Sequence, residues 1–187
     1  MTKFVKLSDV CEIISGVGPF PNSPSGKMAK FVLITDLHNN SITAQAKRPI
    51  KVASKYQKNL DDIKKIRKND VIISIHGTIG IKAIANRNLD YYASSSLLIL
   101  RPKNIVPEFL LCALNSRRVM LKLIKSTTGN TIKRIPLSQF REHVEIPYPS
   151  KSEQLKIKTK YEKQLKKTKE LGLQALKAKI ELENFAI

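Results

Sequence analysis

The chain has 187 residues, 42% of them hydrophobic, which suits one globular domain with an appendage and is short for two full domains. Its 34 Lys and Arg residues against 15 Asp and Glu give a formal net charge of +19, and such an excess favours a polyanionic partner, above all nucleic acid. No apolar run approaches the roughly 20 residues that span a bilayer, and the two distant cysteines argue against a disulfide framework or a zinc site. The N-terminus lacks the pattern of a secretory signal, so we expect a cytoplasmic protein with no membrane partner.

The first elements of the chain are a predicted helix and a predicted loop. Apolar residues recur at helical spacing from Lys6 to Ser15, with Ser8 as a plausible N-cap and Gly16 as a stop. Residues 16–26 then contain three prolines and three glycines, which disfavour both helix and sheet pairing. The sequence therefore predicts a short opening helix followed by a long loop.

The middle of the chain predicts a small buried sheet. Phe31–Leu37, Val71–His76 and Ser96–Leu100 are β-rich and almost continuously apolar, as in strands that are covered on both faces. A strongly charged stretch, Lys47–Lys68, separates the first two of these strands. Gly77–Gly80 predicts the turn that follows the second strand.

The last third of the chain predicts helices with a polar loop between them. Pro107 begins an amphipathic pattern that ends near Lys125, and Ser126–Arg134 is a polar, basic loop. Three prolines in Ile135–Pro149 predict an extended connector. From Ser150 to Ile187 the chain lacks proline and begins with the spacing of a capping box, so it predicts one long helix.

That long helix carries a single apolar stripe, which we predict to be interrupted near Gly172. Burying such a stripe requires a second helix, so we expect a coiled-coil contact within a symmetric, antiparallel homodimer. The stripe consists of Leu155, Tyr161, Leu165, Leu173, Leu176 and Ile180.

Motifs that support catalysis are absent from the sequence. It contains no phosphate-binding glycine loop, no dinucleotide fingerprint and no Asn/Asp-Pro-Pro-aromatic motif of an adenine methyltransferase. The acidic pair Asp61-Asp62 lies in a charged stretch that we interpret as solvated surface, and no histidine has metal-ligand spacing. His76 ends a predicted strand, where a structural role and a phosphate contact are both open. We expect no enzymatic activity, no metal and no cofactor in this chain.

Four segments, taken in order, resemble one half of a type I restriction-modification specificity subunit. The first segment, Leu7–Val10 with Ile13–Gly16, resembles the opening of that family. The second, Asn69–Ser74 through Gly77–Gly80, is similar to its central strand and turn. The third and fourth are Thr128–Lys133, similar to its loop after the second helix, and Ile146–Pro149 through Glu153-Gln154, similar to the junction before its spacer helix. Tyr148 interrupts the double proline that is usual at that junction.

The resemblance implies an α/β fold: a single globular target-recognition domain over residues 1–149, with a small buried sheet and flanking helices, followed by a coiled-coil-type spacer helix over residues 150–187. It implies that the domain reads one half of a bipartite double-stranded DNA site. Partner modification and restriction subunits would then supply the methyl donor, ATP and Mg²⁺. Family members have two recognition domains and two helices, so this chain is either a half-subunit that pairs with itself or a truncated piece.

The polar and basic residues of the predicted loops are the candidate DNA contacts, because phosphate contacts position a protein and base-edge contacts specify the sequence. The alternative function is a non-catalytic basic protein that binds RNA or an acidic partner, with the C-terminal helix as its docking arm. The candidate residues are Asn22, Ser23, Lys27, His76, Thr78, Thr127, Thr128, Asn130, Thr131, Lys133 and Arg134.

Overall fold

The computed structural model describes residues 3–18, 20–43 and 49–184. A central β-sheet with helices packed on it forms the body of the protein, and one long helix follows, which confirms the predicted α/β fold. The strands are β1 (Phe4–Lys6), β2 (Cys11–Ser15), β3 (Asn22–Ala29), β4 (Phe31–Val32), β5 (Leu37–His38), β6 (Asn40–Ile42), β7 (Ile50–Val52), β8 (Val71–Ser74), β9 (Lys82–Ile84), β10 (Tyr92–Ala93), β11 (Leu97–Pro102) and β12 (Glu145–Pro147). The α-helices are α1 (Leu7–Val10), α2 (Ser54–Gln57), α3 (Pro107–Leu114), α4 (Arg117–Lys125) and α5 (Lys151–Asn184).

The central sheet has the strand order β2-β11-β8-β9-β6-β5. β11 pairs antiparallel with both β2 and β8, and β8 pairs antiparallel with β9, whereas β6 and β9 are parallel. Every residue of β8 is buried: Val71 and Ile73 contribute to one hydrophobic cluster with α3, and Ile72 contributes to a second cluster on the other face. The buried strands predicted at Val71–His76 and Ser96–Leu100 are therefore confirmed by β8 and β11.

The predicted opening helix is wrong over most of its length. Only the single turn α1 is helical, and the following five residues form β2 along the edge of the central sheet. Ile13 lies opposite Leu100, and Ile14 lies opposite Ile99. Two consecutive buried isoleucines on opposite faces suit a strand that is covered on both sides, a burial pattern that the helical spacing of their neighbours concealed.

The predicted loop at residues 16–26 is partly wrong, because β3 begins inside it and pairs antiparallel with β7. The register shifts between Asn22 and Lys27, and Pro24 lies in that unpaired stretch, where its missing N–H costs no ladder hydrogen bond. The strand predicted at Phe31–Leu37 is likewise interrupted. Its residues form β4, a 3-10 turn at Ile34–Asp36 and the start of β5.

The predicted amphipathic helix from Pro107 to Lys125 consists of two helices, α3 and α4. The chain breaks at Asn115, and the Ser116 hydroxyl accepts a hydrogen bond from the Val119 N–H at 3.4 Å, which caps the start of α4. Apolar residues of both helices pack on the same face of the central sheet. The connector that follows is also less extended than predicted, because it contains a π-helical turn at Gln139–His143 and then β12, which pairs with β1.

Helix α5 begins at the capping box that the sequence predicts. The Ser150 N–H donates to the Glu153 carboxylate at 2.9 Å, and the Glu153 N–H donates back to the Ser150 hydroxyl at 3.3 Å. The Ser150 hydroxyl also donates to the Glu153 carboxylate at 2.7 Å, and the hydrogen bonds from the Ser150 hydroxyl and N–H hold the pKa of this carboxyl below its usual range. The helix backbone continues through Gly172 as one element, as the sequence predicts.

A buried ion pair braces the sheet at the end where β8 begins. The Arg101 guanidinium of β11 donates to both carboxylate oxygens of Asp70 at 3.0 Å, and the Arg67 N–H donates to the same carboxylate at 2.7 Å. Arg101 also donates to the carbonyls of Ile63 and Lys65. The turn that leads into β8 is thereby fixed to the neighbouring strand.

Candidate nucleic-acid interface

The basic loop, Ser126–Arg134, is closed at its base by paired backbone hydrogen bonds. The Thr128 N–H donates to the Arg134 carbonyl at 2.8 Å, and the Arg134 N–H donates to the Thr128 carbonyl at 2.9 Å. Gly129 has a φ of 96°, and a Cβ at that position would clash with the Ile132 carbonyl oxygen. The loop therefore forms a tight projection, with its tip in solvent. The exposed residues of this projection are Thr128, Asn130, Thr131, Ile132, Lys133 and Arg134.

The turn Gly77–Gly80 lies directly beside the basic loop. The Gly77 N–H donates to the Lys133 carbonyl at 3.1 Å, and His76 forms a β-bridge with Arg134. The Thr78 carbonyl accepts a hydrogen bond from the Ser74 hydroxyl, which fixes the turn to the end of β8. The structure thus brings together two candidate segments that are about fifty residues apart in the chain, and it places His76 and Thr78 against the basic loop. We call this joint surface the loop pair.

A buried lysine lies under the loop pair. Lys82 of β9 is 7% exposed, and its ammonium donates to the Gly80 carbonyl at 2.6 Å and to the Met120 sulfur at 3.1 Å. Burial lowers the pKa of Lys82 to about 8. The sequence analysis missed this residue, because a lysine that begins a short strand carries no signal of its own burial.

Ile132 is a second residue that the sequence analysis missed. It lies at the tip of the basic loop and is 68% exposed. Its aliphatic side chain stands between the polar Thr131 and the basic Lys133. The signal that could have found it is the hydrophobic residue inside an otherwise polar segment.

The first candidate set, Asn22, Ser23 and Lys27, belongs to a different surface. All three are in β3, and the Asn22 side-chain oxygen accepts a hydrogen bond from the Lys51 N–H at 3.0 Å, which gives Asn22 a structural role in the β3–β7 sheet. Lys27 contributes to the positive field that lowers the pKa of Asp90, an effect due mainly to the hydrogen bond from Lys65. No hydrogen bond or ion pair among the described residues joins this set to the loop pair.

The strands that precede the two candidate surfaces, β2 and β8, finish at the same end of the central sheet. Ser15 at the end of β2 lies opposite Leu98, and Ser74 at the end of β8 lies opposite Leu97. The chain continues from β2 toward β3 and from β8 toward the turn Gly77–Gly80. Lys27 of β3, however, lines a pocket with Lys65 and Asp90, and the Lys65 carbonyl accepts a hydrogen bond from Arg101 at the end where β8 begins. The structure therefore does not join the β3 set and the loop pair in one surface.

The apolar stripe of α5 divides into different environments. Leu155, Leu173 and Leu176 are exposed, whereas Leu165 is half-buried. Tyr161 packs against the hydrophobic cluster of its own body, so its contacts lie within one chain. The helix backbone includes position 180, but the side chain of Ile180 lies outside the described residues.

The described residues contain neither a metal-binding cluster nor a membrane-spanning helix. Within residues 3–18, 20–43 and 49–184, no group of three His, Cys, Asp or Glu residues is placed to hold a metal ion. No helix in that part of the chain combines the length and hydrophobicity needed to cross a bilayer. Both cysteines are free, and burial raises the pKa of Cys11 to about 12.

Solved structures similar to this chain come from type I restriction-modification systems. A chain from a structure of type I restriction-modification complex assembly and conformational transition has a TM-score of 0.62 and 22% identity, over 90% of this chain and 40% of that chain. The S subunit of the M. genitalium type I system has a TM-score of 0.55 and 20% identity over 84% and 37% of the two chains. The HsdS subunit of Thermoanaerobacter tengcongensis has a TM-score of 0.57 and 23% identity over 89% and 37%. This chain therefore spans about 40% or less of their lengths.

The family assignment covers nearly the whole chain. Residues 2–182 match the family model described as the type I restriction modification DNA specificity domain, and the chain belongs to that family. The family is one of specificity domains, which agrees with the expectation that this chain is not the catalytic subunit. Among curated proteins no relative matches the chain.

Proposed function

We propose that this chain is the DNA sequence-specificity subunit of a type I restriction-modification system and that it reads one half of a bipartite double-stranded site. The loop pair is the observation that carries the proposal. Its backbone hydrogen bonds fix a basic projection at the edge of the central sheet, with Lys133 and Arg134 exposed on it. A rigid projection can enter a DNA groove without the entropic cost of ordering a mobile loop.

Residues of the loop pair divide by chemistry into two roles. Lys133 and Arg134 neutralise phosphates or, for Arg134, donate in bidentate fashion to a guanine. Asn130 and Thr131 at the tip read base edges, and Ile132 contacts a thymine methyl group. Thr127 and Thr128 support the base of the projection: the Thr127 hydroxyl donates to the Ile124 carbonyl at 2.8 Å.

The same proposal assigns the second half-site to a second copy of this chain. Leu173 and Leu176 are exposed on α5, and a symmetric antiparallel pair of helices would bury them while placing two recognition domains at opposite ends. Separate modification and restriction subunits, which would hold the methyl donor, ATP and Mg²⁺, then dock on this dimer in the cytoplasm.

Paired alanine substitutions test the loop pair. Lys133→Ala with Arg134→Ala is expected to weaken duplex binding by about 2–4 kcal/mol at low salt, because one phosphate contact and one base or phosphate contact are lost. Arg67→Ala with Lys68→Ala is the matched control, since it removes one Arg and one Lys at the opposite end of β8. Fluorescence anisotropy with a duplex that carries the selected half-sites measures both variants over a range of salt concentrations.

Competition experiments separate DNA readout from the alternative function. The wild-type protein should be displaced from labelled duplex by unlabelled duplex far more readily than by single-stranded DNA or RNA of equal length. Preference for RNA would favour a basic interaction protein that binds RNA. Equal weakening by both alanine pairs would place the interface outside the loop pair. Binding to an acidic protein partner alone would leave no duplex affinity to measure.

A further inference from the structure

A buried glutamine fastens the first turn of α5 to the body of the protein. Gln154 is 2% exposed, its side-chain oxygen accepts a hydrogen bond from the Val106 N–H at 3.0 Å, and its side-chain nitrogen donates to the Pro149 carbonyl at 3.0 Å. One side chain therefore joins three elements: the start of α3, the end of the connector and the start of α5. Both of its polar atoms are paired, as a buried amide requires.

A tyrosine two turns further along the helix makes a second attachment. The Tyr161 hydroxyl accepts a hydrogen bond from the Asn40 side chain of β6 at 2.8 Å, and its ring packs against the main hydrophobic cluster. Burial raises the pKa of this hydroxyl, and a hydrogen bond with the Asn115 side chain opposes that effect. The helix is thereby held at β6 and at the end of α3.

An ion pair lies between these two points. The Lys158 ammonium is 2.8 Å from the Glu108 carboxylate of α3, and this contact raises the pKa of Lys158. Gln154, Lys158 and Tyr161 follow one another at spacings of four and three residues, so they lie on one face of α5. Three attachments over two turns fix both the direction of the helix and its rotation about its axis.

We propose that these three contacts form a rigid joint and that Gln154 and Tyr161 are positioning residues that set the distance between the two half-sites. The inference rests on the proposed function, because it concerns how a dimer of this chain measures the gap in a split site. About 35 Å of helix extends beyond Tyr161, so a swing of 10° at the joint moves its far end by about 6 Å, or about two base pairs. A loose joint would therefore accept several gap widths, and a rigid joint accepts one.

The primary test is selection from a duplex pool in which two half-sites are separated by gaps of variable length. Wild-type protein should enrich one gap width at least about tenfold over its neighbours. Tyr161→Phe, which removes only the hydroxyl, and Gln154→Ala should spread the selected gaps over at least about two further base pairs, with unchanged half-sites. Thr159→Ala is the matched control, because Thr159 is exposed between the two positions and its hydroxyl donates only to Leu155 of its own helix.

A charge swap separates positioning from loss of stability. Glu162 also lies 3.8 Å from the Lys158 ammonium, so the swap is made in a Glu162→Gln background. In that background Lys158→Glu and Glu108→Lys should each broaden the gap distribution, because each places like charges together at the joint. The double variant restores an ion pair of reversed polarity and should recover the narrow distribution. A role in stability alone would change the melting temperature of the single variants without changing the gap that they select.

Distance measurements between spin labels test the joint without DNA. Labels at Lys68→Cys and Lys169→Cys in a Cys112→Ala background, diluted with unlabelled protein, report the distance from body to helix within one chain. The wild-type distribution should be narrow, and Tyr161→Phe should widen it at least about twofold. If Tyr161→Phe and Gln154→Ala change neither the width of the distance distribution nor the selected gap, the rigid joint is overturned. If the label distances behave as stated but the wild-type protein selects no split site, only the proposed function is overturned.

Discussion

The body of the protein buries its hydrophobic side chains, whereas the outer part of α5, beyond Tyr161, exposes them. In the body, hydrophobic residues on both faces of the central sheet are buried, and no buried side-chain polar atom of the described residues lacks a hydrogen-bond partner. On the outer helix, Leu171, Leu173 and Leu176 are each more than half exposed. The body therefore contains the interactions that stabilise its own fold, whereas the outer helix requires a partner.

The largest expected effect comes from charges on the outer helix. Leu173→Lys with Leu176→Lys should weaken dimerisation by roughly 10,000-fold or more, because a symmetric pair loses four buried leucines worth about 1.5 kcal/mol or more each. Light scattering at micromolar concentration should show a monomer. The melting temperature of the body should not change, since neither leucine packs against any of its hydrophobic clusters.

Leu171→Lys provides the matched control for that comparison. Leu171 is as exposed as its two neighbours in the stripe, but at about 100° per residue it lies on the opposite side of the helix from Leu173 and Leu176. The dimer should survive this substitution. Equal dissociation by Leu171→Lys would show that the stripe is not the contact.

The next effect distinguishes the attached first turn of α5 from its outer part. Gln154→Ala should lower the free energy of unfolding by about 2–4 kcal/mol, because the buried Val106 N–H and the Pro149 carbonyl each lose a partner. Gln164→Ala, on an exposed part of the same helix, should change it by less than about 0.5 kcal/mol. Urea denaturation followed by circular dichroism measures both variants. Equal losses of unfolding free energy would show that the first turn of α5 is no more firmly attached to the body than the outer part.

A smaller effect, with a defined pH dependence, tests the buried lysine under the loop pair. Burial lowers the pKa of Lys82 from 10.5 to about 8, so the folded protein bears the cost of a desolvated charge below pH 8 and loses that cost as the pH rises toward 10.5. Lys82→Met should therefore stabilise the protein by about 1–3 kcal/mol at pH 7, and its advantage should shrink between pH 8 and 10.5. Denaturation at pH 7, 8.5 and 10 measures the trend, and a constant difference between the two proteins would show that Lys82 is not desolvated.

Local sequence signals, namely a capping box and continuous apolar runs, correctly predicted the start of α5 and the two central strands. The capping box at Ser150 and Glu153 marks the start of α5, and the buried apolar runs give β8 and β11. Ser116 carried the same kind of N-cap signal, yet the continuous apolar spacing on either side concealed the break between α3 and α4. Helix ends inside a periodic pattern are therefore recoverable, but only when each Ser, Thr, Asp and Asn is tested as a cap.

Long-range pairing explains what the sequence did not predict. The segment after α1 becomes a strand because β11 lies beside it, and that neighbour is about ninety residues away in the chain. The loop pair depends on the Ile135 N–H donating to the Ile75 carbonyl at 2.9 Å, a contact that no local pattern encodes. The sequence identified both halves of this candidate site as separate loops, and tertiary packing brings them together.

The most direct test of the account is selection of bound duplexes from a random pool by the wild-type protein, with its modification subunits present. A twofold-symmetric dimer that reads one half-site with each loop pair predicts two copies of one short motif in inverted orientation, separated by a gap of constant length. Enrichment should disappear for the Lys133→Ala, Arg134→Ala variant and persist for Arg67→Ala, Lys68→Ala. A single uninterrupted motif, or no enrichment of any duplex, would contradict the account.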